Sequence, residues 1–173
     1  MANTTGGFYV ARAIFAIMAF TSVVEAGGPG QGDRLFRITR NKNNNVVCYD
    51  VRHNSGKLNK DSPVSVYWVI PSENNKLENL SFLERTRAYG ISVVKTFGQD
   101  SVDILLKAGN NPIRVTVRGG RWVALTALDS REVAIDSVYV MADESSAMPK
   151  VQWVEVLGRY TATGESVWKK ITK

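Results

Sequence analysis

From residue 34 onward the chain alternates apolar and polar residues. Ile113, Val115 and Val117 alternate with Arg114, Thr116 and Arg118, for example. A period of two predicts a β-strand with one buried face and one face in water. Turn-forming residues such as Gly119-Gly120 separate the runs, which predicts hairpins between successive strands.

About nine such runs follow one another, and together they predict one all-β domain over 34–173. They cover residues 35–40, 46–52, 64–70, 91–97, 102–107, 113–118, 121–128, 131–141 and 151–161. Short connections favour an antiparallel meander. A meander this long exposes its edges unless it curls, so we expect it to close into a barrel, with a two-sheet sandwich as the alternative.

One short helix interrupts the strands. Ser81 and Glu84 have the spacing of a capping box, in which each side chain accepts a hydrogen bond from the other residue's backbone. Gly90 is a natural helix stop. A helix of about eight residues is unstable alone in water, so it should pack on the sheet or cap the end of the barrel.

The amino-terminal pattern differs and is typical of a secretory signal peptide. Arg12 precedes the apolar run 13–20, and the small residues Val24 and Ala26 follow. The apolar core is shorter than a bilayer-spanning helix, so we expect cleavage after Ala26 and no transmembrane segment in the mature protein. Residues 27–33 would form a flexible leader, and the protein would be periplasmic or secreted.

Charge adds little. The formal net charge is +6, with no long basic block, and an exported protein is not expected to bind nucleic acid. The densest basic group, Lys169, Lys170 and Lys173, is interpreted as a solvated tail.

The inventory of metal-binding and nucleophilic side chains is small. His53 is the one histidine and Cys48 the one cysteine, so we predict no metal site and no cofactor, and no intramolecular disulfide is possible. We interpret His53 as a surface residue. We favour a buried, inert role for Cys48, while an intermolecular link and a reactive thiol remain alternatives.

No catalytic residue is assigned. The chain has no G-x-S-x-G elbow, and most strand carboxylates alternate with apolar neighbours, which places them on the solvent face. A hydrolase is the least favoured alternative, and Glu84 with Asp103 would be the first pair to suspect in it.

Aromatic and arginine residues give the candidate ligand site. Tyr67 and Trp68 are adjacent on a predicted strand, and Arg85, Arg87 and Tyr89 lie on or just after the helix. Aromatic rings can hold an apolar ligand, and guanidinium groups suit an anionic one. The alternatives are core packing for the aromatics and a salt-bridged lid, with Glu84 pairing to Arg85 or Arg87.

Three blocks together resemble a known family. They are 35–38 with 41–43 and 46–52, then 63–68, then 80–85 with 88–90. In order and spacing they are similar to the domain-of-unknown-function family numbered 4833. The resemblance implies an exported bacterial β domain and carries no established activity.

The resulting expectation is an exported, non-enzymatic binding domain. Its partner would be a small apolar or amphipathic ligand or an envelope protein, and a purely structural envelope module is the alternative.

Overall fold

The computed structural model describes residues 30, 32–143, 145 and 149–172. These residues form thirteen strands, one α-helix and one turn of 3-10 helix. The strands are β1 (Asp33–Arg40), β2 (Asn43–Val51), β3 (His53–Asn54), β4 (Lys57–Leu58), β5 (Val64–Ile70), β6 (Lys76–Asn79), β7 (Ile91–Phe97), β8 (Ser101–Leu106), β9 (Ile113–Arg118), β10 (Arg121–Leu128), β11 (Arg131–Asp143), β12 (Lys150–Tyr160) and β13 (Ser166–Thr172). The helix α1 is Phe82–Arg87, and the 3-10 turn is Pro71–Glu73. The predicted signal peptide, 1–26, lies outside the described residues, as does most of the predicted leader, 27–33.

Eleven of these strands form one sheet that branches at β11. One edge of β11 pairs first with β10 and then, further along, with β1, while its other edge pairs with β12. The first arm therefore runs β1-β2-β5-β6 and the second runs β10-β9-β8-β7. β13 extends the sheet beyond β12, and β3 and β4 form a separate small hairpin.

A β-bulge at Asp136 marks the branch point. Ile135 lies opposite Gly158 on β12, but Ser137 lies opposite Leu157, which leaves Asp136 as an extra residue. On the other edge, β10 pairs only up to Ala134, and β1 begins its pairing at Ser137. Because a bulge bends and twists its strand, β11 can direct the two arms apart.

The all-β prediction with one short helix is confirmed, but the predicted barrel closure is wrong. The sheet curls like half of a barrel along a nine-strand path that ends at β6 and β7. Eleven of the described strands form one branched sheet, so the two-sheet sandwich of the alternative is not shown. The uniform antiparallel meander is also corrected, because β1 runs parallel to β11.

Side chains of both arms fill the concave side of this sheet. Phe36 and Tyr49 of the first arm stack with ring centroids 4.3 Å apart. They share one apolar core with Ile104 and Val115 of the second arm, and all four side chains are fully buried. Side chains from both arms therefore form a single apolar core.

Helix α1 lies in the connection from β6 to β7, the two ends of the path. The predicted capping box is present: the Glu84 backbone N–H donates to Ser81 Oγ, and the Ser81 N–H donates to the Glu84 carboxylate. The helix itself has no buried residue. No helix among the described residues is long and apolar enough to cross a membrane.

The two described lysines of the predicted solvated tail are accessible to solvent, but they belong to a strand. Lys169 and Lys170 lie on β13, which pairs along its length with β12. Lys170 Nζ lies 3.9 Å from the ring centroid of Trp153, so its ammonium group rests on an aromatic face. Lys173 lies outside the described residues.

Candidate binding groove

A groove of about 280 Å³ opens beside α1, at the outer end of the first arm. Its lining residues come from the end of β1, the start of β2, the paired strands β5 and β6, and the helix cap: Arg40, Asn45, Trp68, Ile70, Glu78, Asn79, Ser81 and Glu84. We call the surface formed by these eight residues the groove.

Trp68 and Ile70 give the groove its apolar surface. Trp68 lies opposite Val47 on β2, so it belongs to the concave face of the sheet, and it is 7% exposed. The Tyr89 ring packs edge-on against the indole, with centroids 5.2 Å apart. The Tyr49 hydroxyl donates to the Tyr89 carbonyl oxygen at 2.7 Å, which fixes this part of the chain. The indole is therefore held rigidly from behind.

Glu84 connects the helix to the sheet. Its Oε1 accepts a hydrogen bond from Trp68 Nε1 at 3.2 Å, and its Oε2 accepts one from the Ser81 N–H at 2.9 Å. Burial alone would raise the pKa of Glu84, but the hydrogen bonds from Ser81 and Trp68 and the charge of Arg40 outweigh burial and lower it. Both carboxylate oxygens thus have structural partners.

Arg40 is the cation of the groove. Its guanidinium carbon lies 5.3 Å from the Trp68 ring centroid, a cation–π distance. Its Nε is buried and has no hydrogen-bond partner among the described residues. A buried hydrogen-bond donor without a partner destabilises the folded protein, so an acceptor placed at this N–H would be stabilising.

Glu78, the remaining charged residue of the lining, is exposed, and the neighbouring Lys76 forms its hydrogen bond with Glu73 at 3.0 Å. Glu78 Oε2 lies 3.9 Å from Lys76 Nζ on the same strand. With Glu84 held by Ser81 and Trp68, Arg40 is the charged lining residue with a donor left unfilled. An apolar wall beside such a cation suits a small molecule that has both an apolar part and an anionic or carbonyl oxygen.

The sequence-predicted site residues do not form one site. Trp68 lines the groove, and Tyr89 supports it from behind. Tyr67 lies opposite Cys48, on the other face of the sheet from Trp68. Arg85 and Arg87 are exposed on α1 and are not part of the lining.

Sequence reasoning missed most of the groove, including Arg40, Asn45, Glu78 and Asn79. Arg40 is the last residue of β1, just before a loop rich in asparagine, and a strand end gives no periodic signal. β6 was missed because all four of its residues are exposed, so its sequence has no apolar alternation. The one available signal was position, since β1 and β2 form a hairpin whose end faces the helix cap.

Tyr67 instead belongs to a buried polar cluster. Its hydroxyl donates to Asp50 Oδ2 at 2.5 Å and accepts from Arg34 Nη2 at 3.0 Å. Arg34 Nε also donates to the other oxygen of Asp50. Asp50 is 1% exposed, so this carboxylate is buried and fully paired. Cys48, buried on the same face, has its pKa raised by burial.

Asp103, the second suspected carboxylate, and His53 have structural partners too. Asp103 accepts two hydrogen bonds from Arg114, at 2.8 and 3.1 Å, in a side-by-side pair between β8 and β9. His53 is half-buried, stacks on Trp122 at 5.5 Å and bonds Asp33 at 3.2 Å. His53 is therefore a partly exposed residue that also packs against Trp122.

The family model for a domain of unknown function, DUF4833, matches residues 36–170. The chain belongs to the DUF4833 family. No curated protein and no solved structure matches it. The DUF4833 match covers both arms of the sheet, α1 and most of β13, so the groove lies within the family's domain.

Proposed function

We propose that this DUF4833 protein is an exported, non-enzymatic binding domain whose groove holds a small amphipathic molecule with an acidic or carbonyl group. The apolar part of the ligand lies against Trp68 and Ile70. Its oxygen accepts from Arg40, and the amides of Asn45 and Asn79 supply further hydrogen bonds. The amino-terminal signal pattern supports the export part of the proposal.

Arg40 Nε carries the proposal. It is a buried donor, without a partner among the described residues, at the rim of an apolar wall. Glu84 already accepts from Ser81 and Trp68, so the unfilled Arg40 donor favours a ligand that brings an acceptor oxygen, above all an anionic one. The cation–π contact with Trp68 preorganises the guanidinium, so a ligand need not order it on binding.

The binding role is favoured over a hydrolytic one by the state of the carboxylates. Hydrolysis by a carboxylate pair needs one group free to give or take a proton. Glu84 accepts from Ser81 and Trp68, and Asp103 accepts twice from Arg114. These bonds serve the helix cap and the β8–β9 pair.

Calorimetric titration with octanoate, octanol and octylammonium tests the proposal. These probes share an apolar chain and differ in the head group. We expect octanoate to bind with a defined stoichiometry, octanol to bind more weakly and octylammonium to bind least. Arg40→Gln should weaken octanoate binding by about tenfold or more, the effect of losing a charge-assisted hydrogen bond.

Arg37→Gln is the matched control, because Arg37 is exposed on the same strand and lies opposite Cys48, on the other face of the sheet. It should leave octanoate binding unchanged. Equal binding of all three probes, or octanoate binding that survives Arg40→Gln, would contradict the assignment of the groove.

A further inference from the structure

The outward surface of α1 combines apolar and basic side chains. Phe82 is 78% exposed and Leu83 is 62% exposed, an unusual setting for two adjacent large apolar residues. Arg85, Thr86 and Arg87 are exposed as well. We call these five residues the α1 tip.

The charges of the tip all have one sign. On a helix, residues three or four apart are neighbours, so Arg85 lies beside Phe82 and Arg87 lies beside Leu83. The acidic residue of the helix, Glu84, turns the other way and bonds Trp68. Each protruding apolar residue therefore has a basic residue as its neighbour on the helix, and Arg85 Nη2 also donates to the Leu80 carbonyl oxygen at 3.3 Å, which holds this side chain at the base of the tip.

The structure holds the tip in this orientation. Leu80, just before the helix cap, is buried, and the capping box fixes the first turn. After the helix, the backbone N–H groups of Lys107 and Ala108 donate to the carbonyls of Gly90 and Ala88, at 2.8 and 3.1 Å. Glu84 sets the rotation of the helix about its axis. Phe82 and Leu83 thus cannot turn into the core while these contacts persist.

We propose that the α1 tip docks the protein onto an anionic lipid surface. Phe82 and Leu83 enter the boundary between the head groups and the acyl chains, and Arg85 and Arg87 contact the lipid phosphates. Apolar insertion combined with basic residues at the interface is the chemistry by which short amphipathic segments bind anionic membranes. This role does not depend on the groove being occupied.

A probe at Thr86 tests the docking directly. Cys48 is buried, so a thiol-reactive, polarity-sensitive fluorophore on Thr86→Cys reports on the tip. We expect its emission to shift to the blue when the full chain meets vesicles of phosphatidylglycerol and phosphatidylethanolamine. The same fluorophore on Thr163→Cys, in the exposed turn between β12 and β13, should not shift.

Site-specific emission is needed because the full chain also contains the apolar segment 13–20, which can itself contact lipid. Adding Phe82→Ser and Leu83→Ser to the labelled chain should abolish the shift at position 86. Arg85→Gln with Arg87→Gln should weaken binding to the anionic vesicles by about thirtyfold, and leave binding to pure phosphatidylcholine unchanged.

Three results would overturn the proposal: no shift at position 86, a shift that survives the double serine change, or a shift without lipid that grows with protein concentration. The last would assign the tip to contact between copies of the chain. Sedimentation equilibrium of the wild type and the serine variant, without lipid, identifies that case. Exposed side chains can be changed with little effect on stability, so equal melting temperatures should show that both variants fold.

Discussion

Glu84 Oε1 accepts a hydrogen bond from the Trp68 indole at 3.2 Å, and this bond ties the one helix to the sheet. The same carboxylate completes the capping box with Ser81. One side chain thus serves the start of α1, the orientation of the α1 tip and the wall of the groove. Both proposals rest on this contact, because both need the helix in its present place.

Acid should release this contact. The pKa of Glu84 is lowered in the folded protein, so its stabilising contribution is present above the unfolded value of about 4.3 and is lost as the pH falls through the lower, folded value. The Trp68 indole N–H resonance should therefore move only when the pH falls below the ordinary range of a glutamate carboxyl. Glu84→Gln, which keeps a carbonyl acceptor, should abolish this pH dependence. A resonance that titrates equally in both proteins would show that Glu84 is not the group responsible.

The buried cluster on the other face of the sheet should be a major source of stability. Asp50→Ala leaves the half-exposed Arg34 and the buried Tyr67 without their shared acceptor, and we expect it to lower the free energy of unfolding by about 2–3 kcal/mol. Tyr67→Phe removes one hydroxyl and should cost about 1–2 kcal/mol. Urea denaturation measures both. An Asp50→Ala protein as stable as Tyr67→Phe would mean that the cluster does not act as a unit.

Alkaline pH should act through the same cluster. Burial, followed by the hydrogen bond to Asp50, raises the pKa of Tyr67 to about 12. The unfolded chain loses this proton near pH 10, and the folded chain keeps it until about 12, so stability falls as the pH rises between these values. The fall in melting temperature should be smaller in Tyr67→Phe. An identical fall in both proteins would remove Tyr67 as its source.

Close packing at the branch point leaves no room for a side chain at Gly158. A Cβ added there would lie 2.2 Å from the Ala134 carbonyl oxygen and 2.9 Å from Val133 Cγ1, on the strand that both arms share. Gly158→Ala should therefore destabilise the protein by about 1–3 kcal/mol or more. Gly109→Ala is the matched control, because its Cβ would meet Leu106 at an ordinary 3.5 Å. Equal thermal stability of the two variants would contradict the proposed strain at the branch.

Sequence patterns predicted a feature correctly where all the residues that determine it lie within one helix or one strand. The capping box of Ser81 and Glu84 is a spacing within one turn, and it is present as predicted. The alternation predicted at the start of β9 also holds, since Ile113 and Val115 are buried while Arg114 between them is exposed. Period two reports which face is buried, and that information is local.

The branching of the sheet could not be predicted from the sequence, because it depends on contacts between several strands. Choosing β1 as a parallel neighbour of β11 depends on the bulge at Asp136 and on the ends of two other strands. β13 was missed because Lys169 and Lys170 indicate a solvated tail, and only the fold brings Trp153 and Asp129 to them. The groove could not be predicted for the same reason, because Arg40 contacts Trp68 only through the arrangement of β1, β2 and β5.

Native mass spectrometry of the chain, purified without detergent from its own source, tests whether the groove holds a small amphipathic acid. We expect the wild type to carry the added mass of one such molecule, Arg37→Gln to keep this mass and Arg40→Gln to lose it. A wild-type protein measured at the mass of the polypeptide alone would contradict ligand binding in the groove. An added mass that Arg40→Gln retains would contradict it as well.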